Sequence, residues 1–135
     1  MRLVSFETAG GPRPGVLLDE DRVLDLALVP AARGLPQSIK GILQAGPAAL
    51  DALRRIVERA GNFPEALLQE SDLRFLAPVP DPSIVLSTGT AYRAHLAEMK
   101  VGAPQAPGGF LKNTAAVTGT GQPILLPPQN PSMVD

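Results

Sequence analysis

The chain has 135 residues, of which 44% are hydrophobic and 19% are charged, and its formal net charge is −1. This length suits one domain, or a small domain with part of a second, and the composition favours a packed core over disorder. The nearly balanced charge, without a basic stripe, argues against nucleic-acid binding. The sequence has no cysteine, and no apolar run in it resembles a signal peptide or a membrane span. We therefore expect a soluble, cytoplasmic protein with no nucleic-acid or membrane partner.

Short strand patterns open the chain. Residues 2–6 predict one strand, and residues 15–18 and 22–26 predict a β-hairpin, because they flank a polar tripeptide that favours a turn. A short helix is predicted from Ser38 to Gln44.

A longer helix is predicted from Pro47 to Ala60, since proline is welcome at the first helical position and Gly61 follows the pattern. Its apolar residues recur at helical spacing on one face: Leu50, Leu53, Ile56, Val57 and Ala60. On the charged face, Asp51 and Arg55 are four residues apart and can pair. Residues 71–76 then predict another strand.

A proline-rich connector follows. Three prolines within residues 78–82 exclude a regular helix and favour an extended chain. We place a domain boundary here, between a small α/β domain at 1–77 and a second domain at 78–135. The second part carries patterns for strands at 84–86, 110–112 and 123–127 and for a short helix at 92–100.

This second domain is expected to be incomplete. Two or three short strands and one short helix cannot easily bury their own faces. We therefore expect its remaining strands to come from further residues of a longer protein or from another chain.

The only histidine of the chain, His95, is followed three residues later by Glu98. On a helix this spacing places both side chains on one face, where a carboxylate can orient an imidazole and stabilise its protonated form. Such a pair can act as a general base toward water. Taken alone, the same spacing also describes an ordinary surface pair.

Lys112 ends a predicted strand, where a lysine near an apolar core can bind a substrate carboxylate or stabilise an oxyanion. A surface lysine with a partly covered stem is the simpler interpretation. The glycines of 108–109 and 118–121 match neither a phosphate loop nor a dinucleotide fingerprint. With one histidine, and only Asp135 as a carboxylate after Glu98, any Mg²⁺ or Mn²⁺ would take most of its ligands from elsewhere.

Read in order, these segments resemble the fumarylacetoacetate hydrolase family over nearly the whole chain. The strand patterns before residue 27 resemble its small N-terminal domain, and LRFLAPVPDP (73–82) is similar to the linker into its larger domain. GTAYRAHLAEM (89–99) resembles the signature Gly-x-Asn-Tyr-x-x-His-x-x-Glu of the family. PGGFLKN (107–113) is similar to its Phe-Leu-Lys strand, and GTGQPILLP (119–127) to the strand that follows.

The resemblance implies an α+β protein, in which the small α/β domain precedes the first strands of a mixed β-roll. It implies that His95 and Glu98 form the dyad that activates water, and that Lys112 and Tyr92 bind substrate. The implied reaction is hydrolysis of a C–C bond in a β-diketo acid such as an acylpyruvate. Mg²⁺ or Mn²⁺ would chelate the substrate oxygens, with metal ligands expected just after Asp135. A homodimer is the implied assembly.

A change within the signature segment leaves the reaction open. Ala91 stands where the family has asparagine, and Thr90 stands where leucine or arginine is common. Decarboxylation, isomerisation or dehydration of a related oxo-acid is therefore an alternative. A non-catalytic subunit whose strand edges pair with a second chain is another. Without the metal ligands, the 135 residues by themselves are expected to be inactive.

Overall fold

A computed structural model describes residues 1–19, 21–126 and 128–129. Its strands are β1 (Arg2–Phe6), β2 (Arg13–Leu17), β3 (Arg22–Asp25), β4 (Leu67–Gln69), β5 (Phe75–Leu76), β6 (Val85–Gly89) and β7 (Gly108–Lys112). Its helices are α1 (Ile39–Gln44), α2 (Pro47–Val57) and α3 (Arg93–Glu98), with short 3-10 turns at Pro30–Ala32, Ala60–Asn62, Pro64–Ala66, Glu70–Asp72 and Thr114–Ala116. The predicted α+β class is confirmed.

The chain packs as two units. The N-terminal unit contains Met1–Pro80 and the described residues from Val117 onward, and the second unit is Asp81–Ala116. The domain boundary placed before residue 78 stays a prediction. None of the described helices is both long and apolar enough to cross a membrane.

Five antiparallel strands form the sheet of the N-terminal unit, in the order β4-β3-β2-β1-β5. The predicted hairpin is confirmed, since β2 and β3 pair in antiparallel register with Leu17 opposite Val23. At the other side of the sheet, β5 pairs with β1 and places Phe75 opposite Phe6. The Ser5 hydroxyl also donates to the Pro78 carbonyl at 2.7 Å, so the start of the proline-rich connector is tied to β1.

Glycine is required at position 15 because neighbouring strands approach it closely. A Cβ atom there would lie 2.9 Å from Cγ1 of Val23 and 3.0 Å from a ring carbon of Phe6. Both distances are shorter than ordinary van der Waals contact between carbon atoms. The missing side chain therefore allows β2 to lie between its two neighbours.

The helices begin where the sequence predicts. The Ser38 hydroxyl accepts a hydrogen bond from the Gly41 amide at 3.1 Å and caps α1. Pro47 is the first residue of α2, which buries Leu53 and Ile56. The core of the unit joins these helices to the sheet, and its fully covered side chains include Val16, Leu24, Val29, Ile39, Ile42 and Leu53.

Two local predictions before residue 77 are corrected. Asp51 pairs with Arg54, three residues on, rather than with Arg55. The strand predicted at 71–76 is shortened to β5, because Glu70–Asp72 form a 3-10 turn in which the Leu73 amide donates to the Glu70 carbonyl at 3.0 Å. The polar residues Ser71 and Asp72 favour such a turn. The short strand β4 was not predicted.

The strand predicted at 123–127 does not form over residues 123–126, and Pro127 lies outside the described residues. Pro123 cannot donate a ladder hydrogen bond. Ile124 and Leu125 are 78% and 87% exposed, so their side chains pack against little of the described chain. Before this segment, Gly119 lies against β5, where a Cβ atom would come within 2.5 Å of the Phe75 carbonyl oxygen.

One ion pair in the N-terminal unit is partly buried. Asp25 is only 1% exposed; its Oδ2 accepts from the Arg13 guanidinium at 3.0 Å, and its Oδ1 accepts from the Ala27 amide at 2.9 Å. The Arg13 side chain remains 39% exposed. By contrast, the Arg22–Asp19 pair is exposed, and the Arg22 guanidinium lowers the pKa of the Asp19 carboxyl below its ordinary value by hydrogen bonding.

Removing the cation from the partly buried pair is expected to destabilise the N-terminal unit. Arg13→Met leaves the buried Asp25 carboxylate with one hydrogen bond, and we expect the free energy of unfolding to fall by about 2–4 kcal/mol. Urea unfolding followed by circular dichroism measures this change. Arg22→Met is the matched control, and its unfolding midpoint should stay nearly constant because its ion pair is exposed. Equal losses in the two variants would contradict this assignment.

Candidate functional site

The predicted catalytic residues lie in the second unit, where α3 connects the antiparallel strands β6 and β7. Helix α3 begins after Tyr92, whose carbonyl accepts from the Leu96 amide at 3.1 Å. Leu96 is the buried residue of this helix. The remaining side chains of α3 are exposed, so the helix presents most of its surface outward.

His95 and Glu98 lie on one face of α3, as their spacing predicts. The distance from His95 Nδ1 to Glu98 Oε2 is 3.7 Å, and the two side chains are 53% and 82% exposed. This separation exceeds that of a hydrogen bond. It permits an ion pair when the imidazole is protonated, so the carboxylate can stabilise a proton on the ring. The catalytic role of the pair stays a prediction.

The two predicted substrate-binding residues are exposed as well. Lys112 ends β7, and its ammonium lies 5.9 Å from the centroid of the Phe110 ring, within the range of a cation–π contact. Tyr92 is 77% exposed. Of the four predicted site residues, only His95 and Glu98 make a polar contact with each other within the described chain.

A groove of about 390 Å³ lies in the same unit and was not predicted. The end of β6, the start of α3 and residues 103–108 line it, and its polar side chains are Thr88, Thr90, Arg93 and Gln105. On α3 the groove contacts Arg93 and Leu96. At 3.6 residues per turn, these two residues lie on the opposite side of the helix from the His95–Glu98 pair. The cation of this groove is therefore Arg93, and the predicted dyad faces away from it.

Thr90, in the turn before α3, adopts an unusual backbone conformation. Its φ angle is 51°, in the left-handed region that β-branched residues rarely occupy. Such a conformation costs about 1–2 kcal/mol for an L-residue. Thr90 lines the groove, and it stands directly before Ala91, which replaces the asparagine of the family signature. Backbone strain of this kind is concentrated at functional sites.

Helix α3 ends in a Schellman motif that holds Lys100 in the left-handed region. The Val101 amide donates to the Leu96 carbonyl at 3.0 Å, and the Lys100 amide donates to the Ala97 carbonyl at 3.2 Å. The φ angle of Lys100 is 56°, at the position where glycine is usual. The helix that carries the dyad is therefore short and closed by a strained residue.

The family resemblance also predicts Mg²⁺ or Mn²⁺. Across residues 1–19, 21–126 and 128–129, no three His, Cys, Asp or Glu side chains are grouped so that they could hold a metal ion. His95 and Glu98 alone are fewer ligands than a hard cation requires. The described residues therefore do not supply the metal site, and the ligands expected after Asp135 stay a prediction.

Known proteins resemble this chain along most of its length. It is 34% identical over 133 residues to the rat protein named oxaloacetate tautomerase Fahd2a, mitochondrial, covering 96% of this chain and 41% of the relative. It is also 34% identical over 134 residues to cattle oxaloacetate tautomerase FAHD2A, covering 96% of this chain and 40% of that protein. The human FAHD2A protein is 34% identical over 96 residues, covering 71% of this chain and 29% of its own length. No family model matches the chain.

These likenesses establish that the chain belongs to the fumarylacetoacetate hydrolase family. Within that family, the relatives named above are called oxaloacetate tautomerases. The chain spans about two fifths of the length of the rat and cattle relatives.

The prediction of a cytoplasmic protein is contradicted by these relatives, whose names place them in mitochondria. The reason is physical. A nearly neutral chain without cysteine or long apolar runs carries no property that separates one aqueous, reducing compartment from another.

Relieving the backbone strain at the end of α3 is expected to stabilise that helix. Lys100→Gly removes the Cβ atom from a left-handed position. We expect the helix end to be stabilised by about 0.5–1 kcal/mol, because the strain relieved exceeds the extra chain entropy that glycine loses on folding. Exchange of the Val101 amide proton, corrected for its intrinsic rate, should slow by about two- to fivefold. Lys100→Ala removes the same charge but keeps Cβ, and it should give no gain. Equal slowing of Val101 amide exchange in the two variants would instead assign the effect to the loss of the lysine charge.

Proposed function

We propose that the protein to which this chain belongs is an enzyme that interconverts the keto and enol forms of a small oxo-acid of the oxaloacetate type. The observation that carries this proposal is the similarity, over 96% of the chain, to proteins named oxaloacetate tautomerase. Hydrolysis of a C–C bond in a β-diketo acid, the first expectation from the sequence, is not confirmed. The names of the relatives support its isomerase alternative.

Tautomerisation needs a base and an acid but no attacking water. A proton leaves the carbon beside the carbonyl group, the electron pair forms a C=C bond, and the carbonyl oxygen takes up a proton. An imidazole can take the first proton and return it, because its ordinary pKa lies near neutrality. His95 is the candidate for this role, with Glu98 placed to stabilise the imidazolium. The same dyad thus serves an isomerase without activating water.

Cations are needed to hold the carboxylates of such a substrate. Three basic side chains lie near the predicted dyad in the sequence. They are Arg93 on α3, Lys100 at the strained end of that helix, and Lys112 on β7. Arg93 lines the groove described above, and Lys112 is exposed. A guanidinium can bind a carboxylate through two parallel hydrogen bonds, which fixes orientation as well as charge. Arg93 can therefore bind a carboxylate in the groove, but it faces away from the His95–Glu98 pair, so Lys112 stays the candidate cation for a substrate held at that pair.

The β6–β7 ribbon supports the proposal of a larger β-roll. Leu86 lies opposite Leu111 in the strand register, and the two side chains are 66% and 68% exposed. Ile84 and Phe110 are 60% and 51% exposed as well. Two strands with uncovered apolar side chains are marginally stable in water. We therefore propose that further strands cover this ribbon, either from a longer polypeptide or from a second copy of the chain in a dimer.

Replacing the dyad tests the proposed reaction. The assay uses the full-length protein together with any partner subunit that copurifies with it, and enol-to-keto conversion of oxaloacetate is followed by ultraviolet absorbance. We expect His95→Gln to lower kcat by about 10²–10⁴-fold, because it removes the general base. Glu98→Gln should also lower kcat, because the amide cannot neutralise a protonated ring. This loss should be smaller, because the general base is still present.

The control for this test is Arg54→Gln, a surface change in the N-terminal unit that should leave turnover unchanged. An acylpyruvate is assayed in parallel. Cleavage of the acylpyruvate without any conversion of oxaloacetate would overturn the tautomerase proposal in favour of hydrolysis. Full activity of His95→Gln on oxaloacetate would remove His95 from the mechanism.

The exposed ribbon generates a separate expectation for the chain studied by itself. Leu111→Thr keeps a residue with good strand propensity but removes apolar surface, so we expect weaker self-association in analytical ultracentrifugation. Leu43→Thr is the matched control, because Leu43 is also exposed, at 48%, but lies on α1. If both variants associate like the unmodified chain, the ribbon is not a pairing surface.

A further inference from the structure

A second groove, also of about 390 Å³, lies on the N-terminal unit between the 3-10 turn at Pro30–Ala32 and the end of α2. Its lining includes Ala31, Ala52, Arg55, Ile56, Arg59 and Phe63. We call it the arginine groove. All of these residues belong to the N-terminal unit, so the groove is distinct from the one beside α3.

The two arginines of this groove, Arg55 and Arg59, form no ion pair with the acidic residues that the structure describes. Four other arginines form ion pairs: Arg13, Arg22, Arg54 and Arg74. Among the described residues, Arg55 and Arg59 pair with no carboxylate. Arg55 lies in the last turn of α2 and Arg59 just beyond the helix end, so two like charges follow each other closely along the chain. Their placement is therefore not explained by the stability of the unit.

The helix dipole accounts for only part of this arrangement. A cation in the last turn of a helix interacts favourably with its carboxyl end. Arg54 and Arg55 both occupy that turn of α2, and Arg54 already pairs with Asp51. Arg59 lies beyond the helix end at Val57. A second exposed guanidinium at this point adds repulsion and little dipole stabilisation.

The rest of the groove is suited to the organic part of a ligand. Ile56 forms an apolar surface that is only 7% exposed, and the Phe63 ring is half-buried beside it. Asn62 adds an amide group that can donate and accept hydrogen bonds. Concave sites of a few hundred Å³ with an apolar floor and few polar groups are typical of small-ligand binding.

We propose that the arginine groove binds a small organic anion with two negative charges, either a dicarboxylate or a phosphate monoester. Each guanidinium can form two parallel hydrogen bonds to a carboxylate or a phosphate. Two of them in one groove favour a dianion over a monoanion. The chain has a net charge of −1, so the selectivity comes from this local pair. The inference is independent of the proposed tautomerase reaction, because it uses no residue of the second unit.

Titrations followed by amide NMR spectra of the chain test this site, with succinate, phenyl phosphate and acetate at equal ionic strength. We expect saturable shifts at the amides of Ile56, Asn62 and Phe63. At least one dianion should bind about tenfold more tightly than acetate, as expected for an added charged hydrogen-bonding pair. Saturation by succinate alone assigns a dicarboxylate site, and saturation by phenyl phosphate alone assigns a phosphate-ester site.

Matched variants distinguish a specific binding site from a general effect of positive surface charge. Arg55→Gln and Arg59→Gln should each weaken dianion binding by about tenfold. Arg54→Gln removes the same charge one residue away and should change the affinity less than about twofold. If Arg55→Gln does not fold, Arg59→Gln decides, because Arg59 lies outside the helix. Shifts that fail to saturate, or that weaken equally in Arg54→Gln, would overturn the proposal.

Discussion

The close contact between β2 and β3 is the constraint on which the N-terminal unit depends. Gly15 lies opposite Asp25 in the strand register, and the absence of a side chain at Gly15 lets the strands approach. Asp25 is buried at this position, and Arg13, from the same strand as Gly15, pairs with its carboxylate. The neighbouring strands and both helices pack on the core that this contact brings together.

The two units differ in how much of their own apolar surface they bury. The N-terminal unit encloses residues such as Leu24 and Leu53 completely. The second unit buries Leu96 but leaves the facing leucines of its ribbon largely exposed. The arginine groove therefore lies on a unit that buries its own core. The His95–Glu98 pair lies on a unit whose apolar ribbon the described residues cover only in part.

Local signals account for what could be predicted from the sequence. The Ser38 cap, the Pro47 helix start and the pairing of β2 with β3 each depend on residues close together in the sequence, and the structure confirms them. Strand β4 depends on pairing with a distant strand, so no local pattern indicated it. The same reasoning applies to the site. Helical spacing placed His95 beside Glu98, whereas the groove around Arg93 arises from a segment that folds back onto the helix.

The pairing of β5 with β1 has a kinetic consequence. The two strands are separated by most of the N-terminal unit, so the sheet closes only after nearly all of that unit has been synthesised. Contacts between distant segments slow folding, because a long loop must be closed before any contact stabilises it. On the ribosome, the β1–β2–β3 meander can form early, while the outer edge of β1 stays unpaired until Phe75 and Leu76 have been synthesised. During that interval, the outer edges of β1 and β3 are both unpaired, and both are open to pairing with a wrong strand.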